Sequence, residues 1–388
     1  MMMMMTPAAT TTMMMTPARK QRFRHCCIFR QNLKLVITVS IILCIFGFWK
    51  FQSQLISSPP SKMTRLSRRV GPISFVGPPK IAFLFLTRRH LPLDFLWGSF
   101  FEEVDVASYS IYIHSEPGFV FDESNTRSPM FFGRQLSNSI QVAWGESSMI
   151  EAERLMLDAA LEDPANQRFV LLSDSCVPLY NFSYIYSYVM QSPKSFVDSF
   201  LDKKEKEGQG RFNPKMSPGI TEDKWRKGSQ WFTLIRRHAE VVVDDGLVFP
   251  LFKKYCKRRP PVDDSKGKLN LKLQKQHNCI PDEHYLQTLL TMSGLEKELE
   301  RRTLTYTLWN DSPANMEGKG WHPFTFSRSA ANPQRIKEIK DINNVYYATE
   351  YRTEWCRTNS TAVPCFLFAR KFSQGAAMRL LSERLWTE

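Results

Sequence analysis

Two adjacent carboxylates, Asp282 and Glu283, open the segment Pro281-Asp282-Glu283-His284 ahead of a helical apolar pattern. Backbone N–H groups at the start of a helix, and the positive end of its dipole, hold a nearby carboxylate in its ionised form. An ionised carboxylate can act as a general base and take a proton from an attacking hydroxyl group. The same residue types also cap helices that have no catalytic role. The segment therefore predicts either a simple helix start or a carboxylate that acts as a catalytic base.

A second polar segment, Ser173-Asp174-Ser175-Cys176, directly follows the buried-strand pattern Arg168–Ser173. Enzymes that act on nucleotide sugars often carry an Asp-x-Asp pair at this place, because two carboxylates supply oxygen ligands for a divalent cation. Here Asp174 is the only carboxylate of the segment. We therefore expect no metal ion at this turn, and a simple turn stabilised by Asp174 is the alternative.

Two cations, Arg370 and Lys371, follow the late strand pattern Cys365–Ala369. Paired cations can neutralise a departing diphosphate without a metal ion, although a solvated surface pair is the commoner meaning of such residues. The histidines do not have the H-E-x-x-H spacing of a zinc site, so the sequence predicts neither a metal nor another cofactor. Tryptophans in polar segments either stack on sugar rings or fill a core; they are Trp225, Trp231, Trp309, Trp321 and Trp355.

The elements that must position these residues follow from hydrophobic periodicity. Apolar runs bounded by turn residues predict buried strands, and helical patterns lie between them. This alternation indicates right-handed β-α-β units and an α/β fold with a mostly parallel central sheet. Ligands of such sheets bind beyond the carboxyl ends of the strands, here Arg88–His90, His114–Glu116 and Asp174–Cys176. The predicted strands are Lys80–Thr87, Tyr109–His114, Ser139–Ala143, Arg168–Ser173 and Cys365–Ala369.

Capping signals predict the helices. Met149–Leu161 is preceded by Ser148, which together with Glu151 has the spacing of a capping box. A later helix, Pro281–Ser293, ends at Gly294, a typical residue just beyond a helix. No G-x-G-x-x-G or G-K-[ST] segment follows a strand, so the sequence gives no support for a Rossmann dinucleotide site or a P-loop.

The formal net charge of +14 is concentrated at one end of the chain. Residues 1–80 contain 12 Lys or Arg and no Asp or Glu, whereas residues 81–388 contain 40 basic and 38 acidic residues. A nucleic-acid-binding domain carries its basic excess on the folded body, so we expect no nucleic-acid partner. The basic leader instead suits the anionic cytosolic face of a membrane.

One apolar run, Leu35–Trp49, follows the basic leader and reaches the lower length limit of a membrane span when Leu33 and Lys34 extend it. Basic residues before such a run keep the N-terminus in the cytosol. We predict a cytosolic tail at 1–34, a transmembrane signal anchor at 33–50, a Pro/Ser-rich stem at 51–79 and a single luminal domain at 80–388. A cleaved signal peptide is the alternative, but no A-x-A-like site follows the run.

The luminal interpretation bears on cysteines and asparagines, because disulfides and N-glycans form in the secretory pathway. Five cysteines follow the anchor. Proximity favours the pairs Cys256–Cys279 and Cys356–Cys365 with Cys176 left free, although other pairings stay open. Three N-x-[ST] sequons also follow the anchor, at Asn181, Asn310 and Asn359.

The order of these segments resembles a known enzyme family. Behind the apolar run stand K-I-A-F-L-F-L, Y-S-I-Y-I-H, R-F-V-L-L-S-D-S-C-V-P-L, K-G-S-Q-W-F, P-D-E-H-Y and C-F-L-F-A-R-K-F. This series is similar to the core-2/I-branching β-1,6-N-acetylglucosaminyltransferase family, glycosyltransferase family 14, from Lys80 to Phe372. The segment W-R-K-G-S-Q-W-F at Trp225–Phe232 resembles its plant branch.

The resemblance implies a Golgi type II membrane enzyme with a GT-A-like catalytic domain, which takes a sugar from a UDP-sugar, inverts the anomeric carbon and uses no metal. Glu283 matches the catalytic base of the family, and Lys371 matches a lysine that contacts the diphosphate. An upstream arginine of the family has no clean counterpart, and His322 or Arg328 would take its place. The implied donor site is Ile113, His114, Ser115, Ser173, Asp174, His322, Arg328, Arg370 and Lys371, and the implied acceptor site is Trp225, Ser229, Trp231 and Asp282.

The expected partners are a UDP-sugar, a glycan or glycoprotein acceptor and the Golgi membrane, and a homodimer stays open. N-acetylglucosamine is the expected sugar, but members of this family are also associated with xylose and glucuronic acid, and no residue decides among them. A catalytically inactive transferase fold that binds carbohydrate or serves as a scaffold in the Golgi is one alternative. A glycosidase is another, but it needs a second carboxylate at a set separation from the first.

Overall fold

The computed structural model describes residues 40–41, 44, 75–202, 211–258, 278–309, 323–358 and 361–387. The chain divides into a first unit, Met1–Leu66, and a second unit, Ser67–Glu388. The predicted tail, anchor and stem lie almost wholly outside the described residues. Among the residues that are described, no helix is long and apolar enough to cross a membrane.

The described part of the second unit contains fifteen strands and eight α-helices, most of them short. The strands are β1 (Lys80–Leu86), β2 (Tyr109–His114), β3 (Asn166–Ser173), β4 (Val177–Pro178), β5 (Ser195–Phe196), β6 (Phe200–Leu201), β7 (Arg226–Lys227), β8 (Thr233–Ile235), β9 (Leu299–Glu300), β10 (Thr305–Thr307), β11 (Asn344–Tyr347), β12 (Arg352–Trp355), β13 (Arg357–Thr358), β14 (Thr361–Ala362) and β15 (Phe368–Arg370). The helices are α1 (Asp94–Phe101), α2 (Ser148–Leu161), α3 (Phe182–Gln191), α4 (Arg236–Val243), α5 (Val248–Tyr255), α6 (Tyr285–Met292), α7 (Pro333–Lys340) and α8 (Gln374–Ser382).

A six-stranded sheet forms the centre of this unit, in the order β2-β1-β3-β8-β5-β9. Strand β1 pairs in parallel with both β2 and β3, and β5 pairs in parallel with β9. Strand β8 runs antiparallel to its two neighbours. The prediction of a mixed α/β fold with a mostly parallel sheet is therefore confirmed, and the arrangement is consistent with a GT-A-like fold.

The continuous apolar run of β1 has a simple cause, because both faces of the sheet are covered. Phe83 and Phe85 point to one side and pack against Trp97 of α1, with the ring centres of Phe85 and Trp97 5.1 Å apart. Ala82 and Leu84 point to the other side, into a second core that includes α2 and α6. The sheet is therefore sandwiched between two hydrophobic layers, and the loops after its strands emerge at the rim.

A smaller sheet of three strands, in the order β10-β15-β4, lies next to the turn that follows β3. Strand β15 is parallel to β10 and antiparallel to β4. Just beyond β15, the N–H of Phe372 donates to the carbonyl of Ser175 at 3.0 Å. This pairing brings the end of β15, near the C-terminus, to the carboxyl end of β3.

Two predictions of local structure are wrong. Ser139–Ala143 forms no strand, because its backbone N–H groups bond to side chains: Ile140 donates to His114 Nε2 at 3.1 Å and Ala143 donates to the Ser148 hydroxyl at 3.0 Å. The same Ser148 hydroxyl therefore does not act in a capping box, and no side chain caps the start of α2. Tertiary hydrogen bonds thus replace the bonds that a strand and a capping box would have made.

Both predicted disulfides are present. Cys256 and Cys279 have Cα atoms 5.0 Å apart, and Cys356 and Cys365 have Cα atoms 5.3 Å apart. Cys176 is buried and unpaired, as predicted. The first disulfide joins the end of α5 to the residues just before α6, and the second joins the end of β12 to the residues just before β15. Both bonds therefore fix chain segments that lead into the predicted site.

Candidate active site

The carboxyl ends of β1, β2 and β3 meet at one edge of the central sheet. In the strand register, Leu86 lies beside His114 on one side and beside Ser173 on the other. Ser115 directly follows β2 and Asp174 directly follows β3, so both lie at this edge. The structure therefore brings together the strand-end residues that the sequence places at a donor site.

His114 is buried at the end of β2. Its Nε2 accepts the N–H of Ile140 at 3.1 Å, so in the neutral ring the proton lies on Nδ1, and no described residue pairs with that nitrogen. Burial lowers the pKa of His114 to about 4, which keeps the ring neutral near pH 7. Ile113 is fully buried, and Ser115 donates its hydroxyl hydrogen to the carbonyl of Arg89. Of these residues, His114 presents an unpartnered N–H at the strand end.

The turn after β3 is held by its own short side chains. The Ser173 and Ser175 hydroxyl oxygens are 3.1 Å apart, and the Ser173 N–H donates to Cys176 Sγ at 3.2 Å. The indole N–H of Trp97 donates to the Cys176 carbonyl at 3.1 Å. These bonds lock the turn to the core and leave Asp174 partly exposed at its tip.

Arg370 and Lys371 lie at the end of β15, next to this turn. The Arg370 guanidinium is 4.4 Å from the centre of the Trp231 ring, a cation–π contact that fixes its position. Burial lowers the pKa of Lys371, and the positive charges of Arg370 and Arg88 lower it further. Lys371 therefore lies near two further cations, an arrangement suited to a polyanion such as a diphosphate.

Glu283 ends a 3₁₀ turn, Pro281–Glu283, that directly precedes α6. Its carboxylate is partly buried and forms an ion pair with Arg211. Its backbone carbonyl accepts the N–H of Gly228 at 2.9 Å, which ties the turn to the K-G-S-Q-W-F segment. Gly228 has no room for a side chain, because a Cβ there would lie 1.8 Å from the carbonyl oxygen of Asp198. The backbone of two distant segments therefore sets the position of Glu283.

Asp282 lies one residue earlier and has a different environment. Its side chain is buried, with 8% of the residue exposed, and its Oδ1 has no hydrogen-bond partner among the described residues. The pKa of Asp282 is raised to about 7, chiefly by burial and also by the charge of Glu283, while its own backbone N–H, Arg211 and Arg370 act in the opposite direction. Two adjacent carboxyls thus differ: Glu283 is paired with a cation, and Asp282 is buried without one.

A third carboxyl, that of Glu153, enters the site from α2. It is buried, and its Oε1 accepts a hydrogen bond from Gln230 Nε2 at 2.7 Å. Burial raises the pKa of Glu153 well above its ordinary value, and the nearby charge of Asp282 adds to this effect. Burial therefore favours the neutral form of Glu153, and its hydrogen bond holds Gln230, the residue that precedes Trp231.

Two of the predicted acceptor residues, Ser229 and Trp231, lie in the segment that holds Glu283. The Ser229 N–H donates to Asp198 Oδ2 at 2.9 Å, and its carbonyl accepts from Gln287 Nε2 at 2.9 Å. Trp231 is 5% exposed and is covered on one side by Arg370. Both residues belong to the segment that contacts Glu283 through Gly228 and Arg370 through Trp231, and Trp231 has little surface for stacking on a sugar.

Trp225, another residue of the predicted acceptor site, lies in the core. It is 3% exposed, and its ring stacks on His284 at 4.5 Å and on Phe252 at 5.3 Å. Its indole N–H donates to Asp202 Oδ2 at 3.1 Å. Because aromatic neighbours stack on this ring and so little of it is exposed, Trp225 supports the turn that carries Glu283 and offers no surface to a sugar in this conformation.

Arg328 and His322 are the two candidates for the upstream arginine of the donor site. Arg328 is exposed in the turn before α7, and its carbonyl accepts from Arg379 of α8 at 3.2 Å, whereas His322 lies outside the described residues. Within the described part of the chain, no three His, Cys, Asp or Glu side chains gather as a metal site. Metal independence nevertheless stays a prediction.

Of the three N-x-[ST] asparagines, Asn181 lies among the described residues. Asn181 caps α3: its Oδ1 accepts the N–H of Tyr184 at 2.9 Å, and its Nδ2 donates to the carbonyl of Thr387 at 3.2 Å. Asn310 and Asn359 lie outside the described residues. Glycosylation at all three therefore stays a prediction, and at Asn181 the glycan-bearing nitrogen already holds the C-terminal segment.

Sequence reasoning missed Arg211 and Glu153. Arg211 lies in a charged loop with no pattern of its own, and its partner is 72 residues away. Glu153 lies on the buried side of α2, among Ile150, Met156 and Leu157. A charged residue within the apolar stripe of a helix was the available signal for Glu153, because such a residue is rarely buried without a reason.

The chain is similar to a known enzyme family and to a plant glycosyltransferase. Residues 81–340 match the family model of the core-2/I-branching enzyme. The chain is 53% identical over 309 residues to "Glycosyltransferase BC10" of Oryza sativa subsp. japonica, and this alignment covers 79% of the chain and 76% of that protein. The family match includes the carboxyl ends of β1, β2 and β3 and Glu283, whereas Arg370 and Lys371 lie beyond it.

Proposed function

Because the chain belongs to the core-2/I-branching enzyme family, we propose that this glycosyltransferase moves a sugar from a UDP-sugar to a hydroxyl group of a glycan or glycoprotein. The reaction is a single displacement that inverts the anomeric carbon and needs no metal ion. Glu283 is the general base, and Arg370 and Lys371 bind the diphosphate. N-acetylglucosamine is the expected sugar, with xylose and glucuronic acid as the alternatives to test.

The observation that carries this proposal is the relation between Glu283 and the cations of β15. Asp282, next to Glu283, responds to the charge of Arg370, and Arg370 packs on Trp231. The carboxylate residue and the cation also contact one segment, Glu283 through the N–H of Gly228 and Arg370 through the ring of Trp231. An inverting displacement needs this arrangement, because the attacking hydroxyl and the leaving group stand on opposite sides of the anomeric carbon.

The chemical step is balanced by these groups alone. The acceptor oxygen forms a bond to C1 of the sugar as its proton passes to the Glu283 carboxylate. The bond between C1 and the diphosphate oxygen breaks, and its electron pair leaves with UDP. Negative charge builds on that oxygen in the transition state, so the positive charges of Arg370 and Lys371 stabilise the transition state more than the ground state.

His114 and the turn after β3 support a nucleotide cleft at the edge of the sheet. The Nδ1–H of His114 has no described partner and can donate to an oxygen of the base or ribose. Burial lowers the pKa of Lys371, and the negative charge of Asp174 offsets part of this effect, so Asp174 acts on the cation that we assign to the diphosphate. A cleft at the carboxyl ends of parallel strands is also where α/β sheets bind ligands.

We also propose a Golgi type II topology with the catalytic domain in the lumen. The basic leader and the run Leu35–Trp49 support it. The disulfides Cys256–Cys279 and Cys356–Cys365 add support from the folded part, because such bonds persist in oxidising compartments. Protease protection of the C-terminal domain in intact microsomes, lost on detergent treatment, is the expected result. Digestion without detergent would contradict this topology.

The donor is tested directly by thermal unfolding and transfer assays of the full-length protein in detergent. UDP-N-acetylglucosamine, UDP-xylose, UDP-glucuronic acid and UDP are compared with and without EDTA. We expect one UDP-sugar to stabilise the protein and to be slowly hydrolysed, with no change on EDTA. Loss of both effects in EDTA would contradict metal independence. Stabilisation by UDP without any turnover, with acceptors supplied, would favour an inactive scaffold.

A further inference from the structure

The carboxyl of Asp282 is buried and lacks a cation partner. Only 8% of the residue is exposed, and Oδ1 has no hydrogen-bond partner among the described residues. A buried polar atom without a partner is costly, because it loses its hydrogen bonds to water and gains none in the protein. Native proteins keep such an atom where a ligand or an ordered water completes it. Asp282 therefore needs a partner that the described protein does not supply.

The position of Asp282 indicates which ligand that partner belongs to. Asp282 directly precedes Glu283 in one 3₁₀ turn, and the charges of Glu283 and Arg370 both act on its carboxyl. If Glu283 takes the proton of the acceptor and Arg370 stands at the diphosphate, a carboxyl that interacts with both groups lies beside the sugar that is transferred. The acceptor would lie beyond Glu283, and the nucleotide would lie beyond Arg370.

We propose that the carboxyl of Asp282 hydrogen-bonds a ring hydroxyl of the transferred sugar, and so fixes that ring between the base and the leaving group. The inference rests on the proposed function and deepens it by adding a residue that reads the donor sugar itself. Asp282 is then a donor-contact residue, not part of the acceptor site.

The groups around Asp282 fit a neutral carboxyl that both donates and accepts. Glu283 and Glu153 bring two further carboxyls to its surroundings, and Arg211 and Arg370 bring two cations. Arg211 is already paired with Glu283, and Arg370 is held on Trp231. His284, the next residue after Glu283, stays neutral because burial lowers its pKa to about 3. A protonated Asp282 avoids repulsion with Glu283 and keeps an O–H for the sugar.

The test compares the binding of UDP-sugar with the binding of UDP by the full-length protein. The preferred UDP-sugar and its analogues, each lacking one ring hydroxyl, are titrated into wild type, Asp282→Ala and Asp282→Asn. The matched control is Asp94→Asn, which changes a buried aspartate at the start of α1, where it accepts from the Thr126 hydroxyl and the Arg127 N–H. Thermal unfolding of each variant confirms that it is folded.

In the wild type, one deoxy analogue is expected to bind about tenfold more weakly than the parent sugar nucleotide, the loss of one hydrogen bond. Asp282→Ala should bind parent and analogue equally, with UDP affinity unchanged. Asp282→Asn, which keeps a donor and an acceptor, should retain most of the wild-type preference, and Asp94→Asn should retain all of it.

Two results would overturn the proposal. Asp282→Ala could discriminate the deoxy analogue as the wild type does, or it could lose the same factor for UDP and UDP-sugar. The first would leave the sugar contact to another residue, and the second would place the effect on the fold or the nucleotide. Failure of the wild type to bind any UDP-sugar would instead refute the proposed function, so the two failures are distinguishable.

Discussion

Arg211 and Glu283 form an ion pair across 72 residues of sequence, and both side chains are about three-quarters buried. Arg211 lies at the start of the described segment 211–258, and Glu283 ends the turn that precedes α6. Arg211 also donates its backbone N–H to Asp202 Oδ2 at 3.0 Å, so its backbone is fixed as well as its guanidinium. The carboxylate proposed as the base is therefore held in one orientation by a cation.

This ion pair predicts a rate effect. Arg211→Ala should lower the transfer rate by about tenfold or more, because a misoriented base loses part of its effect on the proton transfer. Arg211→Lys, which keeps the charge but not the planar donors, should lie between this variant and the wild type. Rates at saturating donor and acceptor give the measurement. A wild-type rate in Arg211→Ala would show that the pair has no part in orienting Glu283.

The cation cluster predicts the behaviour of UDP. Lys371→Ala should weaken UDP binding by about 10- to 100-fold, the loss expected for a charge-assisted hydrogen bond to phosphate. The control is Arg379→Ala, which removes a cation of α8 that pairs with Glu383. Titration with UDP, with and without EDTA, provides the measurement. Equal UDP affinity in Lys371→Ala and the wild type would remove Lys371 from the site.

Gly228 predicts a steric effect on the site. Gly228→Ala places a Cβ 1.8 Å from the Asp198 carbonyl oxygen, so the backbone that bonds to Glu283 must move. We expect a loss of about 2 kcal/mol or more in the free energy of unfolding, together with a loss of transfer. Gly246→Ala is the matched control, because no atom lies within 4 Å of its new Cβ. Similar denaturation midpoints for both variants would contradict the tight approach.

The buried carboxyl of Asp282 predicts how stability depends on pH. Its pKa is about 7 in the folded protein, against an ordinary value of 3.8 for an exposed aspartate, so between these values the folded state binds the extra proton. Its contribution to stability is therefore present below about pH 4 and is lost as pH rises through 7. Asp282→Asn should become more stable relative to the wild type between pH 5 and pH 8. Parallel unfolding free energies of the two proteins at both pH values would contradict a neutral Asp282.

The strands of the central sheet could be predicted from sequence because burial on both faces leaves a clear pattern. The runs that begin at Lys80, Tyr109 and Arg168 are continuous or nearly so, and each appears as a strand with similar bounds. Ser139–Ala143 is shorter and less apolar, it is not buried, and its N–H groups bond to His114 and Ser148. A short β-forming segment does not show which partners its backbone groups find.

The candidate site could also be predicted only in part from the sequence. The segments of Glu283 and Lys371 could be identified because their residues stand next to helix and strand signals. The Arg211 partner of Glu283 and the burial of Trp225 depend on contacts between distant segments, which no local pattern encodes. The aromatic character of Trp225 suits a sugar site and a core equally, and only the fold decides between them.

The central claim is that Glu283 is the base, and replacement of each of the two adjacent carboxyls by its amide tests it most directly. Transfer rates and UDP-sugar affinities of Glu283→Gln and Asp282→Asn are measured side by side at pH 7. The account predicts that Glu283→Gln loses about 10²- to 10⁴-fold in transfer rate while UDP binding is kept, and that Asp282→Asn stays active. A Glu283→Gln enzyme that retains more than about a tenth of the wild-type rate, by the same scale, would contradict the assignment.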